Sequence, residues 1–398
     1  MKKLYLWLGA MALGFALGML QVEAIDTVAN VVATIYTRLF RLVAVPTIVI
    51  TVTLTLATLG TGATTRRIFT RTLTYTLLTT FVAASVALGL FMIVQPAVNI
   101  AGAMPTVADD APTQSYLEYL ITVVPDNLLR PLLEGNVLSL LLLSFAGGLG
   151  LSRLRDSEPV KVLVSVLQGA QELLFLLIRA LIQTLPLGIL AFSAQLTAQL
   201  QADETALGLG AYIIVVLGAG AVQFFVVLPL FLLARGLNPL TTFRAMLPAV
   251  LMALFTKSSA ATLPVTMETA EQRLGVQSRV ARFVLPICTT INMNGCAAFI
   301  LATSLFVMHS AGVPFSPAML IVWLVVSVLA AVGNAGIPMG CYFLTLSLIS
   351  DVQGAPAIMG LVLPAYALLD MFETAENVWA DSCVCAMTNK DINRAETA

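Results

Sequence analysis

The sequence predicts an all-α membrane protein folded around a central polar site. Three observations carry this. Of 398 residues, 59% are hydrophobic and only 10% charged, against about 25% charged in a soluble domain. Apolar runs of bilayer-spanning length, about 20 residues, recur through the first 234 positions. Beyond them the apolar character continues, but four polar interruptions fall at mid-membrane depth. So few charges cannot cover a water-facing surface. With 20 Lys+Arg against 21 Asp+Glu, the chain offers no basic face for nucleic acid and no disordered composition.

The candidate spans are 4–22, 42–59, 72–94, 137–151, 163–195 and 209–234. Met1-Lys2-Lys3 precedes the first. We read that run as a retained transmembrane helix; as a signal peptide it would be cleaved near Val22-Glu23-Ala24. The fifth run is too long for a straight span and calls for a tilt or a bend near Pro186. Residues 95–136 hold Asp109, Asp110, Glu118, Asp126 and Glu134 and read as a solvent loop.

Positive charge sets the orientation. With the N-terminus inside, the inner segments hold Lys2, Lys3, Arg66, Arg67, Arg71, Arg153, Arg155, Lys161, Arg235, Arg244, Arg273, Arg279, Arg282, Lys390 and Arg394, which is 15 of 20. Arg38, Arg41 and Arg130 fall outside, and Arg179 and Lys257 lie in apolar stretches. The acidic loop then faces outward, and both termini face the cytoplasm of a multi-pass protein of the inner membrane.

The interruptions are 257–264 (Lys-Ser-Ser-Ala-Ala-Thr-Leu-Pro), 289–295 (Thr-Thr-Ile-Asn-Met-Asn-Gly), 333–338 (Gly-Asn-Ala-Gly-Ile-Pro) and 370–381 in the last helix. Irregular backbone inside a bilayer must be covered by protein or line a cavity. The first and third look alike: an apolar arm, a tip of small residues ending in Pro, and a second arm. Each is followed by a helix that carries polar groups. Hairpin–helix repeated twice is the pattern of inverted repeats around a midplane site.

At about 100° per residue, Asp370, Glu373, Thr374, Asn377 and Asp381 make one polar stripe roughly 100° wide. A stripe with three acids in an apolar helix must face a cavity or polar partners, and Lys257 is the one obvious base. Glu376 lies roughly 100° off the stripe, toward the interior or a neighbouring helix, with no role evident. The five cysteines read as small buried hydrophobes. Cys383-Val384-Cys385 lacks a second ligand pair, and His309 is the sole histidine, so we expect no metal site of that kind, no disulfide framework and no role for His309.

These segments resemble the dicarboxylate/amino acid:cation symporters, the glutamate transporter homologues. The resemblance rests on Lys257-Ser258-Ser259 with Thr262–Met267, on Thr290-Ile291-Asn292-Met293-Asn294-Gly295, on the 333–338 tip, and on Asp370-Met371 with Thr374, Asn377 and Asp381. Weaker similarity covers Pro125-Asp126-Asn127 and Gly135-Asn136-Val137-Leu138. It implies eight transmembrane helices, two re-entrant hairpins, a homotrimer in the lipid bilayer, and a transport domain moving as an elevator against a scaffold. The implied division is 1–71 scaffold helices 1 and 2; 72–160 transport-domain helix 3, outer loop and scaffold helix 4; 161–240 scaffold helix 5 and transport-domain helix 6; and 241–398 the transport-domain core. It implies no enzyme. A membrane hydrolase built on Ser259 and Lys257 would lack a second base and an oxyanion arrangement. A channel would need a continuous polar pore, and a structural protein would not need four interruptions.

By resemblance, Asp370 meets the substrate α-amino group. Asn377 and the backbone around Ser258 and Ser259 hold the α-carboxylate, and Thr374 and position 296 face the substrate. One sodium takes Asp381 with backbone oxygens of Cys288, Asn292 and Asn377. A second takes backbone oxygens of Thr290, Ala331, Val332 and Asn334. A third would involve Thr76, Thr79, Thr80 and Asn294.

The departures bear on function. Glu373 stands where members with acidic substrates carry arginine, and Cys296 replaces a threonine. A neutral polar or cationic amino acid is therefore expected rather than an acidic one. Lys257 favours the neutral choice if it neutralises Glu373. Asn294 replaces an aspartate and Thr76 a tyrosine, which weakens the third cation site, so we expect two sodium ions. Two ions with a neutral substrate give about 2.3 kcal/mol per charge at 100 mV and about 1.4 kcal/mol per tenfold gradient. The sum, roughly 7 kcal/mol, still sets about a 10⁵-fold limit. A proton carried by Glu373 in place of one ion is the second reading. Met339 replaces a glycine after the second tip, which would stiffen that hairpin.

Overall fold

A computed structural model describes residues 2–20, 22–57, 63–98, 124–134, 137–199, 203–332, 334, 339–350, 352 and 354–396. Among them there are helices and no strand. The first seven are α1 (Lys2–Met19), α2 (Glu23–Ala57), α3 (Ala63–Val94), α4 (Arg130–Glu134), α5 (Val137–Arg153), α6 (Glu158–Gln199) and α7 (Asp203–Val222). After a π-helical turn, Gln223–Val227, come α8 (Leu228–Ala234), α9 (Pro239–Thr256), α10 (Ser259–Gln272), α11 (Ser278–Ile291) and α12 (Asn294–Ser310). The chain ends with α13 (Pro317–Val332), α14 (Gly340–Leu348) and α15 (Ala355–Glu396). Among the described residues, Arg67–Val94, Leu207–Ala234, Ser278–Ser310 and Ala355–Arg394 are long and apolar enough to cross a membrane.

Two groups of helices emerge from the packing. α1 and α2 lie on α6, and α2 also on α5. Gly14 permits the α1–α6 approach, since a Cβ there would sit 2.4 Å from the Leu190 carbonyl oxygen. The second group is built around α12, which is buried from Asn294 to Met308, with α3, α7, α13 and α15 around it. At the other end α9, α10 and α11 pack against α15. There Trp379 donates its indole N–H to the Phe224 carbonyl at 3.2 Å and meets the Phe243 ring edge-on at 5.2 Å.

Several expectations change. α2 begins at Glu23 rather than near residue 42, because 23–41 is too polar to register as a span yet is helical against α6. Arg38 and Arg41 therefore lie within a helix instead of an outer connection. α6 runs unbroken through Pro186. Most of the acidic loop, with Asp109, Asp110 and Glu118, lies outside the described residues. Its last part is exposed, with Asn127 capping α4 through the Arg130 N–H (2.7 Å) and Asp126 paired to Arg130 at 3.1 Å. His309 does have a structural part: its Nδ1 lies 3.1 Å from the Pro96 carbonyl oxygen, and its ring packs on Phe91 and Phe315.

Each interruption falls between helices or on the last one. Asn238 caps α9 by accepting from Leu240 and Thr241 N–H groups, with Pro239 at the first helical position. α9 ends where Lys257 turns left-handed at φ 55°, and Ser258, extended, caps α10 by accepting from the Ala261 N–H at 3.2 Å. The two arms then pack on each other. Asn292 and Met293 separate α11 from α12. Of the tip at 333–338 only Asn334 is described; beyond it Met339, at φ 65°, caps α14. A methionine thus occupies a left-handed position that suits glycine.

Candidate functional site

The site is assembled on α15, and three neighbours bring polar groups to it. Asp370, Glu373, Thr374, Asn377 and Asp381 are all buried, although the helix is apolar along most of its length. Thr374 turns back and donates to the Asp370 carbonyl at 2.7 Å. Asn377 Oδ1 accepts from the Gly295 N–H at 2.9 Å, which satisfies one of the free donors at the start of α12. Gly295 is required here: a Cβ would lie 2.8 Å from Glu373 Cγ and 3.1 Å from the Glu373 carbonyl oxygen. The missing side chain lets α12 and α15 touch at the site.

Asp370 accepts from the Met339 N–H at 3.3 Å and from the Tyr366 hydroxyl at 3.4 Å. Tyr366 also donates to Glu373 Oε2 at 3.0 Å. Lys257 donates to the Ala367 carbonyl, one turn before Asp370 on α15. Its ammonium therefore lies on the Asp370 side of the stripe. Neither Asp370 nor Glu373 forms an ion pair among the described residues.

Glu373 Oε1 faces two sulfurs. Cys296 and Cys341 are joined as a disulfide, with Cα atoms 5.7 Å apart. The sequence reading expects no disulfide framework and five small buried hydrophobes; these two are paired instead. The partners are 45 residues apart and meet only because α14 returns to α12, which spacing does not reveal. Cys288, Cys383 and Cys385 are free and buried, as small hydrophobes should be.

A second cluster surrounds the break between α11 and α12. Asn292 donates its side-chain N–H to Asp381 Oδ1 at 2.9 Å. That is the sole side-chain bond recorded for this buried carboxylate among the described residues, and no cation side chain pairs with it. Thr79 approaches Asn292 Oδ1 at 3.3 Å and Asn294 Oδ1 at 3.4 Å, and Thr80 donates to Asn294 Oδ1 at 2.8 Å. Thr76 lies 3.9 Å from the Cys288 sulfur. The backbone oxygens of Cys288 and Ala331 accept local N–H groups from Asn292 (2.8 Å) and Asn334 (3.0 Å). Thr290 and Val332 lie on α11 and α13, which touch. A buried carboxylate with one amide donor and no cationic side chain paired to it among the described residues suits a cation such as sodium.

Three participants, Tyr366, Cys341 and Gln223, escaped the sequence reading. Tyr366 stands four residues before Asp370 and seven before Glu373, so helical spacing alone could have found it. Cys341 follows the second tip directly. Gln223 sits at the π-helical turn and donates to the Thr79 carbonyl at 3.2 Å, a link that no linear pattern signals. Glu376 is buried at a 480 Å³ cavity between α7, α9 and α15, beside Gly220, Phe224 and Phe372. Its Oε1 has no hydrogen-bond partner among the described residues.

A family model described as the sodium:dicarboxylate symporter family matches residues 4–391. The chain is 32% identical over 250 residues to excitatory amino acid transporter 3 of Oryctolagus cuniculus, covering 62% of this chain and 47% of that protein. It is 31% identical over 279 residues to excitatory amino acid transporter 2 of Homo sapiens, 67% of this chain and 48% of that one. A Caenorhabditis elegans excitatory amino acid transporter is 31% identical over 250 residues, 62% and 49% of the two chains. The matches therefore span about half the length of these relatives.

Proposed function

The chain belongs to the sodium:dicarboxylate symporter family, and from that premise we propose that it is a sodium-coupled secondary active symporter importing an amino acid across the cytoplasmic membrane. One observation carries this reading. α15 buries Asp370, Glu373 and Asp381 with Lys257 as the one nearby base among the described residues. Buried carboxylates need cations, because an unpaired charge in a low dielectric is costly. Sodium at Asp381 and a substrate ammonium at Asp370 supply two.

In this reading Asp370 orients the α-amino group, while Asn377 and the Ser258–Ser259 turn receive the α-carboxylate. Glu373, Cys296 and Thr374 face the side chain. The relatives are named for excitatory amino acids and the family for dicarboxylates. Glu373 argues against a second carboxylate on this chain's substrate: it is buried, and no basic group pairs with it among the described residues. The substrate is a neutral polar or cationic amino acid. Two sodium ions accompany it. One binds at Asp381 with Cys288, Asn292 and Asn377; the other binds at Thr290, Ala331, Val332 and Asn334. In the Thr76, Thr79, Thr80 and Asn294 cluster, Thr79 and Thr80 approach Asn294 Oδ1, while Asn294 Nδ2 has no partner among the described residues; an amide with its own N–H donors in place of a carboxylate supports leaving a third ion out.

The two packing groups support a scaffold of α1, α2, α5 and α6 and a moving body of α3 and α7 to α15. They are assembled as a homotrimer with both termini cytoplasmic. Cation coupling by a proton on Glu373 is the second reading, favoured by its burial next to Asp370. The test is a thermal-shift screen of the twenty amino acids with and without sodium, followed by uptake into proteoliposomes. Uptake should require an inward sodium gradient; equal uptake in choline would sink sodium coupling.

A further inference from the structure

Cys296, Cys341 and Glu373 converge on one buried point from three segments, α12, α14 and α15. Each sulfur lies 2.7 Å from the same oxygen, Glu373 Oε1. Among the described residues this is the one group of three such side chains whose ligand atoms all lie within 4.8 Å of one another. On the other side, Asn334 Nδ2 lies 2.9 Å from both sulfurs, and Asn377 Nδ2 lies 3.6 Å from that of Cys296.

These surroundings do not complement a disulfide. A disulfide has no S–H to place between sulfur and carboxylate, and its sulfurs are weak acceptors for amide N–H groups. They complement two reduced sulfurs: as thiols each can donate to Glu373 Oε1, and as thiolates they have amide donors behind them and need a cation in front. Two thiolates and one carboxylate on one point repel unless a cation sits among them. Sulfur selects the cation: thiolate donors favour soft or borderline ions such as zinc and cadmium over sodium, which prefers oxygen. Three protein ligands with an open fourth position form a known arrangement for zinc.

We infer that, with the Cys296–Cys341 bond reduced, these residues bind one soft divalent cation. Asn334 and Asn377 orient the sulfurs by hydrogen bonds. Reduction adds two electrons and two protons to the disulfide. A trialkylphosphine supplies the electrons, water supplies the oxygen of the resulting phosphine oxide, and the two protons go to the thiols. Those protons leave when the metal binds. A metal here ties α14, just past the second tip, to α12 and α15. Competition with substrate is a consequence that rests on the proposed function; metal binding itself does not.

The test uses the full chain purified in detergent, with phosphine, and without sodium or amino acid. Cadmium is the probe, and the readout is ultraviolet sulfur-to-cadmium charge-transfer absorbance. Reduced protein should titrate to one ion per chain, and protein oxidised with diamide should give no band. Cys296→Ser and Cys341→Ser should each weaken binding at least about tenfold, while Cys383→Ser with Cys385→Ser leaves it unchanged. Two results overturn the inference. One is no band from reduced wild type that carries all five thiols and melts cooperatively. The other is a band that survives in the Cys296→Ser, Cys341→Ser double variant. Either is independent of whether the protein transports amino acids.

Discussion

The side-chain amide of Asn292 donates to Asp381 at 2.9 Å, so the break between α11 and α12 is tied to the last helix at a single buried carboxylate. Removing the charge while keeping the shape separates a cation site from a packing contact. Asp381→Asn should weaken sodium binding at least about tenfold, the cost of a lost ligand or its support. The measurement is the sodium dependence of the melting temperature. A shift curve unchanged from wild type would reassign the cation to another place.

Asp370 differs from Asp381 in what approaches it: a backbone N–H, a tyrosine and the lysine side of the first hairpin tip. Asp370→Asn should abolish binding of α-amino substrates by calorimetry while sodium stabilisation persists. Normal substrate affinity in this variant would mean the amine binds elsewhere.

Glu373 decides selectivity in the proposed reading. Glu373→Arg should lose the native substrate and admit acidic amino acids, because an arginine fork holds a carboxylate in two parallel bonds. Competition binding with the twenty amino acids checks this. Identical selectivity in the two proteins would show that residue 373 does not read the side chain.

Glu376 is buried with Oε1 unpartnered among the described residues. Leaving a polar group unsatisfied costs about 1–3 kcal/mol. Glu376→Leu should therefore raise stability by about that amount, read by chemical denaturation, with sodium and substrate affinity unchanged. A loss of stability would reveal a partner that Glu376 finds in the membrane.

How much of this was legible in the chain depends on the kind of signal. The polar stripe on α15 could be read because helix geometry maps spacing onto direction, and the hairpin tips could be read because small residues and proline interrupt an apolar run. Cys296 with Cys341, and Gln223 with Thr79, could not. Each pair meets through tertiary packing, and each member alone looks like ordinary core. The start of α2 was missed for the opposite reason. Its first half carries Glu23, Asp26, Arg38 and Arg41, so hydropathy hides a helix that packing on α6 maintains. Met339 could be singled out, but only the backbone reveals that its left-handed turn aims an N–H at Asp370.

The C-terminal end of α15 adds a further expectation. Asp391 accepts from the Tyr75 hydroxyl at 2.7 Å, pairs with Arg235, and lies 3.7 Å from Arg71. Asp391→Asn should cost about 1.5–3 kcal/mol, the range for bonds to a charged group, by denaturant unfolding.

α15 is one unbroken helix of 42 residues, about 63 Å long, or roughly twice the hydrocarbon thickness of a bilayer. The proposed amine and cation sites and the Asp391 latch are thus points on a single stiff rod. A load applied at any one of them is felt at the others without an intervening joint. Ligand capture and release of the latch at α3 and Arg235 then become two ends of one lever stroke, and a flexible insertion between Asp381 and Asp391 would uncouple them.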